Sequence, residues 1–265
     1  MRFVKSTMIV AFALVLSSNA NSQNLTARQI VEKAWWAAKL DGSEMVSTLT
    51  IVSPRGQKRE RKTASVSKLY DNGQTEKRLI RFLSPADVKG TGLLTFDYEK
   101  KDDDIWFFLP SLRKTRRIIS SEKSKNFMGS EFTYADITPP SVDDFKYKLI
   151  KTDKSDGTDC WEIEIVPKSN TIAEENGFSK RISLFGQKDF VIRQSISYDL
   201  IGKLHKKLTA KNIKLIDPQK QRFRPMQMTM VNQQNERSSI LDINDIKLRK
   251  EIPDKYFTTP FLERF

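Results

Sequence analysis

The chain has 265 residues, with 46 lysines and arginines against 33 acidic residues and a formal net charge of +13. It contains one cysteine, Cys160, and one histidine, His205, so no intramolecular disulfide can form, and a His/Cys metal site or a histidine-dependent catalytic pair is disfavoured. No phosphate-binding loop, dinucleotide glycine pattern or zinc-protease motif occurs, and we therefore predict neither enzyme activity nor a cofactor.

An N-terminal signal peptide is predicted over residues 1–22. Arg2 and Lys5 precede an apolar run from Met8 to Leu16, which is followed by small and polar residues that suit cleavage. An uncleaved membrane anchor is the alternative, but a helix needs about 20 apolar residues to cross a bilayer, and this run is much shorter. We therefore expect the protein to be exported, with residues 23–265 forming the mature domain.

One long helix is predicted in 25-LTARQIVEKAWWAAKLDG-42. Thr26 and Gln29 form a capping-box pair, apolar residues recur at helical spacing, and Gly42 lies where a helix would end. The apolar side of this helix includes Trp35. It either packs simply against a sheet or covers a cavity, and the sequence leaves both interpretations open.

From residue 45 onward the pattern is one of short alternating runs joined by turn residues. Asn72-Gly73, Asp156-Gly157 and Asn176-Gly177 are pairs favoured between antiparallel strands. The predicted strands cover 45–53, 57–70, 75–83, 91–98, 104–109, 113–119, 146–152, 159–167, 178–185, 190–199, 203–215, 223–232 and 237–248. Residues 120–144, with Pro139-Pro140, form the longest irregular excursion. Nothing divides the chain into two domains.

Many of these strands have one apolar and one polar face, as in 159–167 and 190–199. An apolar face must be covered by another layer or by closure of the sheet, and only one long helix is available. We therefore predict an all-β dominated fold, in which one long, curled antiparallel sheet closes into a barrel or into part of one. Such a barrel is too wide for side chains alone to fill, so it should hold a cavity.

The stretch 104-DIWFFL-109 is apolar at consecutive positions, so both of its faces should be dry. Which face lines the cavity is left open by the sequence. Four cations follow at once, Arg113, Lys114, Arg116 and Arg117. They either form a solvated strand surface or contact anionic lipid headgroups and membrane surfaces.

The stretch 224-RPMQMTMV-231 places Met226, Met228 and Met230 on one face of a strand. Methionine is flexible and polarizable, which suits contact with variable apolar ligands such as alkyl chains. Core filling is the alternative interpretation. The full set of predicted cavity residues is Trp35, Leu49, Leu94, Phe96, Ile105, Phe107, Trp161, Ile163, Phe190, Ile192, Met226, Met228 and Met230.

Several stretches of the sequence resemble the LolA-like outer-membrane lipoprotein-sorting proteins, and the length of the chain resembles a longer branch of that family. They include 82-FLSPADVKGTGLLTFDY-98, 127-FMGSEFTYADI-137, 198-YDLIGKLHK-206 and 252-IPDKYFTTPFLE-263. The resemblance implies an incompletely closed β-barrel, in which an N-terminal helix and minor helices lie over the concave apolar face of a curved antiparallel sheet. It implies a periplasmic carrier that binds lipid or the acyl chains of lipoproteins and passes them between envelope components. It also implies an inner-membrane exporter of the resistance-nodulation-division type as a partner.

Two other functions stay open at this point. A similar barrel could sense lipid or mislocalised lipoprotein as an envelope stress module without transferring it. The basic strands at 57–62 and 203–214 also invite comparison with nucleic-acid binding proteins. We predict no nucleic-acid partner, because the protein is expected to be exported and its aromatic residues are segregated from the cations.

The signal peptide generates the first testable prediction. The mature protein should begin between Asn21 and Gln23 and should be released by osmotic shock, because the apolar run is too short to anchor it. N-terminal sequencing of the released fraction checks both points. Recovery of the protein in washed membranes with its N-terminus intact would contradict the prediction.

Overall fold

The computed structural model describes residues 25–138 and 141–264. The expected signal peptide and Pro139-Pro140 lie outside the described residues. Thirteen antiparallel strands in the described chain form one curved sheet. The strands are β1 Gly42–Val52, β2 Lys58–Tyr70, β3 Thr75–Ser84, β4 Gly92–Tyr98, β5 Asp104–Leu109, β6 Lys114–Ile118, β7 Phe145–Ser155, β8 Thr158–Pro167, β9 Lys180–Gly186, β10 Ile192–Tyr198, β11 Leu204–Asp217, β12 Arg222–Asn232 and β13 Ser238–Leu248.

The sheet is built outward from its centre, where β1 pairs with β13. Strands β2 to β6 follow on one side and β12 to β7 follow on the other, so the two edges are β6 and β7. The sheet is not closed, which confirms the predicted incomplete barrel. The described residues among 119–144, namely 119–138 and 141–144, are called the crossing segment. They lie between β6 at one edge and β7 at the other, and they correspond to the predicted excursion.

Helix α1 (Ala27–Ala37) begins as the sequence predicts. Both hydrogen bonds of the Thr26 and Gln29 capping box are present. The helix ends at Ala37, however, and Gly42 is the first residue of β1 rather than the helix stop. A Cβ atom at position 42 would lie 2.4 Å from the backbone oxygen of Arg249, so this glycine permits close approach of two backbone segments.

The sequence analysis missed a further helix, α3 (Asn170–Asn176), between β8 and β9. Asn176-Gly177 was predicted as a hairpin turn, but it ends this helix, and Gly177 is its left-handed cap with φ of 72°. The two other pairs do connect strands, as predicted. Two more helical turns, α2 (Tyr134–Ile137) and α4 (Thr259–Leu262), lie in the crossing segment and near the C-terminus.

Both faces of the sheet are covered. The inner, concave face lies under α1 and the crossing segment, as Ile30 and Phe127 show by packing against it. The outer, convex face of β3 to β5 lies under the C-terminal segment, residues 250–264, through Phe257 and Leu262. This arrangement explains the apolar stretch in β5, because Ile105 and Phe107 point inward while Trp106 and Phe108 point outward.

The outer cover generates a prediction about stability. Leu262 is fully buried against the outer face, so Leu262→Ala should lower the free energy of unfolding by about 2–5 kcal/mol. Leu112→Ala is the matched control, because Leu112 is 66% exposed and its truncation should change little. Urea denaturation measures both variants. Equal stability of the two would show that the C-terminal segment does not hold the sheet.

Candidate functional site

The methionine stripe, Met226, Met228 and Met230, lies on the inner face near the centre of the sheet. Met228 pairs across the ladder with Ala210 on one side and Leu241 on the other. Met230 is buried and packs with Leu49. Met226 and Met228 are only half-buried. The stripe therefore forms an apolar inner surface that is only partly covered.

The crossing segment covers one end of this surface. Phe132 joins the cluster formed by Leu49 and Met230. The neighbouring Glu131 is fully buried, accepts a hydrogen bond of 2.9 Å from the Asn232 amide, and lies 3.2 Å from the Arg237 guanidinium. The segment is thus anchored by polar contacts and places one aromatic ring on the apolar surface.

The predicted residues Ile105 and Phe107 also lie on the inner face, but under a different part of the crossing segment. Both are buried in a cluster with Phe82, Phe127 and Tyr134. The rings of Phe107 and Tyr134 are 6.4 Å apart in an edge arrangement. The crossing segment therefore fills this part of the barrel interior with its own side chains.

Four further predicted residues, Trp161, Ile163, Phe190 and Ile192, come together beneath α1. Ile163 is fully buried, and Trp161 stacks on Phe190 at 5.7 Å. Trp35 lies farther along α1, where the Lys39 ammonium is 3.4 Å from the centre of its ring. The helix thus covers an apolar part of the inner face, and Trp35 lies at the margin of that cover.

Leu94 and Phe96 do not line the interior. The register places them on the outer face, where Leu94 is buried and Phe96 packs beside the C-terminal segment. The ring of Phe96 is 5.0 Å from that of Trp106, also on the outer face. Their alternation with polar residues correctly indicated a strand with two different faces. On β4, however, the apolar residue that faces the interior is Leu93 rather than Leu94 or Phe96.

The four predicted cations lie at the edge strand β6 without forming one common surface. Arg116 pairs with Glu122 at 3.0 Å, and Arg117 pairs with Asp104. Alternation places Arg117 on the face opposite Arg116. Arg113 and Lys114 are exposed. The cluster is therefore partly neutralised by two neighbouring acids, Glu122 and Asp104.

A group of charged residues on the inner face was not predicted from the sequence. Glu76 and Asp97 lie directly opposite each other in β3 and β4, and both are buried. Arg78 binds Glu76 at 2.6 Å and, despite burial, keeps the pKa of that carboxyl below its usual range. Burial, together with the charges of Asp103 and Glu76, raises the pKa of Asp97 to about 7. Lys39 lies nearby, and burial lowers its pKa.

Two cavities adjoin these surfaces. One, of about 430 Å³, lies between the crossing segment, α3 and strands β9 to β11, and the residues that line it include Arg181, His205 and Lys206. Met230 is the only predicted cavity residue that lines it. The other, of about 300 Å³, lies beside α1 and includes Trp35. The expected wide apolar cavity is thus reduced, because α1 and the crossing segment occupy much of the interior.

The residues that the sequence analysis missed share one property, which is that their neighbours are distant in sequence. Phe132 meets Met230, and Glu76 meets charges on β4 and β12. The sequence did contain one usable signal for the two arginines. The alternation that places Met226, Met228 and Met230 on one face of β12 also places Arg224 and Arg222 on that face. The aromatic residues of 127–134 could also have been assigned to the barrel interior.

A family model described as "-like: Uncharacterized protein" matches residues 74–264. No curated protein matches the sequence at a significant level. A solved domain from Vibrio parahaemolyticus, assigned to outer membrane lipoprotein sorting, is 26% identical with a TM-score of 0.81, over 90% of this chain and 98% of that chain. A DUF1329 family protein from Desulfovibrio piger is also 26% identical with a TM-score of 0.81, over 89% and 97% of the two chains.

A LolA superfamily protein from Nitrosomonas europaea shares the fold at 22% identity, with a TM-score of 0.68 over 89% of this chain and 99% of that chain. In the ranges 25–138 and 141–264, no helix has the length and apolar character needed to span a membrane. The same described residues contain no cluster of His, Cys, Asp and Glu side chains suited to a metal ion.

The buried acids generate a prediction about pH. The pKa of Asp97 is raised from 3.8 to about 7, so the folded state retains a proton that the unfolded state has released. Stability should therefore fall as the pH rises from about 4 to about 7. Asp97→Asn cannot ionise, and it should be more stable than the wild type at pH 8, by on the order of 1–3 kcal/mol, with a smaller gain at pH 5.

Urea denaturation at pH 5 and pH 8 measures this difference. Asp156→Asn is the control, because Asp156 is exposed in the turn between β7 and β8, and it should not alter the pH dependence. If Asp97→Asn were destabilised equally at both pH values, Asp97 would be held as a charged partner of Lys39 and Arg78.

Proposed function

The chain belongs to the LolA-like family of outer-membrane lipoprotein-sorting proteins, and we propose that it is a periplasmic carrier for lipid or the acyl chains of lipoproteins. In this proposal the alkyl chains bind to the inner face of the curved sheet, and the protein passes them between components of the envelope. Binding and release need no chemical step, so the proposed activity is not enzymatic.

The observation that carries this proposal is a row of half-buried apolar side chains on the inner face. Met228 on β12 pairs with Leu241 on β13. Met226 and Ile243 continue these two rows, and all four side chains are only partly covered. A sheet that served only as scaffold would be expected to bury such a surface completely, because exposed apolar area costs free energy. A surface of this kind inside a curved sheet suits a flexible apolar ligand.

The chemistry of the surface supports the same proposal. Methionine and leucine side chains adapt to partners of irregular shape. The ladder neighbours of Met228 are a small residue, Ala210, and a flexible one, Leu241. Phe132 covers the far end of the surface from the crossing segment. An alkyl chain that enters along the stripe would therefore meet the Phe132 ring and replace its contacts as it advances.

Contact with membranes and partners is the remaining part of the proposal. Arg113 and Lys114 are exposed at the edge of the sheet, where they can approach anionic headgroups, each contributing about 1 kcal/mol near such a surface. Arg116 and Arg117 are included in the proposed contact, although acids offset part of their charge. We include an inner-membrane exporter of the resistance-nodulation-division type as a proposed partner.

The proposal is tested by filling the surface. Met228→Trp should place a bulky ring over the inner face and reduce uptake of a fluorescent fatty-acyl probe several-fold, with little change in melting temperature because Met228 is only half-buried. Thr229→Trp is the matched control, since Thr229 alternates with Met228 and faces outward. Probe titration and thermal denaturation are measured on all three proteins.

If the stripe is instead a filled core, Met228→Trp should overpack it and cost about 1–3 kcal/mol. A marked fall in melting temperature, together with a wild type that takes up no probe, would rule out the carrier. Transfer of bound lipid from the protein to acceptor vesicles separates a carrier from a lipid sensor, because only a carrier is expected to deliver its cargo.

A further inference from the structure

Two arginines continue the methionine stripe toward the start of β12. Arg222, Arg224 and Met226 alternate with outward-facing residues, so all three belong to the inner face. The charges of Glu76 and Arg78, which lie on the inner face of β3, act on Arg224, in agreement with its place on the inner face. The inner face of β12 is therefore cationic at one end and apolar along the rest.

Neither guanidinium group is satisfied by the residues of 25–138 and 141–264. The Nε atom of Arg222 is buried without a hydrogen-bond partner. Arg224 is influenced by neighbouring charges at a distance but makes no ion pair, and burial lowers its pKa to about 10. Both side chains are half-buried. A cation that is partly withdrawn from water without a partner is unfavourable, and it becomes favourable when an anion binds beside it.

The charges that surround the two arginines do not neutralise them. Glu76 is already bound to Arg78 at 2.6 Å. Asp97 has its pKa raised to about 7, so it is only partly ionised near neutral pH. The cation Lys39 donates to the backbone oxygen of Gly73 at 2.7 Å. The nearby pair of Asp103 and Lys123 is internally balanced. The interior near Arg222 and Arg224 is thus left with excess positive charge.

The neighbouring surface determines which class of anion fits. The stripe runs from Arg224 to Met230 over six residues, or roughly 20 Å at the rise of an antiparallel strand, which suits an extended long alkyl chain. Guanidinium groups present several donors in a planar fork that matches phosphate or carboxylate oxygens. We propose that Arg222 and Arg224 bind the anionic headgroup of a lipid whose alkyl chain lies along the methionine stripe.

This inference rests on the proposed carrier function and specifies its ligand. The test compares three compounds on the full protein, namely dodecyl phosphate, dodecanol and inorganic phosphate, by displacement of the fluorescent acyl probe and by calorimetry. Dodecyl phosphate should bind at least about tenfold more tightly than dodecanol, which corresponds to one or two charge-assisted hydrogen bonds. Inorganic phosphate should bind far more weakly than dodecyl phosphate, since it makes no apolar contact.

Variants of the two arginines test whether they cause the preference for dodecyl phosphate over dodecanol. In Arg222→Gln/Arg224→Gln, dodecyl phosphate and dodecanol should bind within about twofold of each other, with dodecanol binding unchanged. The matched control is Arg55→Gln/Lys58→Gln, which removes the same charge from exposed positions around the turn between β1 and β2 and should keep the full preference. The variant Arg222→Lys/Arg224→Lys retains the positive charges but lacks the planar guanidinium groups. It should keep only part of the preference for dodecyl phosphate over dodecanol.

Each alternative result has a distinct meaning. Equal binding of dodecyl phosphate and dodecanol to the wild type would overturn the headgroup site while leaving the carrier function intact, and this comparison does not depend on any variant folding. Inorganic phosphate binding as tightly as dodecyl phosphate would show a phosphate site unrelated to lipid. If neither alkyl compound binds, both this inference and the carrier function fail.

Discussion

The need to cover both faces of one sheet is the constraint on which the rest of this structure depends. Thirteen strands in the described chain share a single hydrogen-bonded sheet, and several of them, β5 above all, are apolar on both sides. Three segments provide the cover, and each is placed by the order of the strands. The C-terminal segment follows β13 and takes the outer face, while α1 precedes β1 and takes the inner one.

The crossing segment follows from the same constraint. Because β6 and β7 are consecutive in sequence but lie at opposite edges of the sheet, the chain between them must travel across the opening. It carries Phe127 and Tyr134 to one place on the inner face and Phe132 to another. These side chains fill part of the concave side of the sheet, and the apolar surface that remains uncovered there lies on β12 and β13.

Sequence reasoning succeeded where one local rule determines the outcome. The capping box at Thr26, the turn at Asp156-Gly157 and the common face of the methionine stripe all depend on residues within a few positions of one another. It failed for Leu94, because a period of two separates the faces of a strand without stating which face is concave. It also missed the meeting of Glu76 with Arg224, since strand order brings together residues that are far apart in the chain.

The pairing of β1 with β13 has a consequence for how the chain folds. Ser43 faces Leu248 in the register, so the two central strands are also those most separated in sequence among the described residues. Closing so long a loop costs entropy that only the completed ladder returns. The two wings of hairpins can form early and independently, but they become one sheet only after β13 is available. The molecule is therefore expected to acquire its cooperative stability late, as a single event at the end of folding.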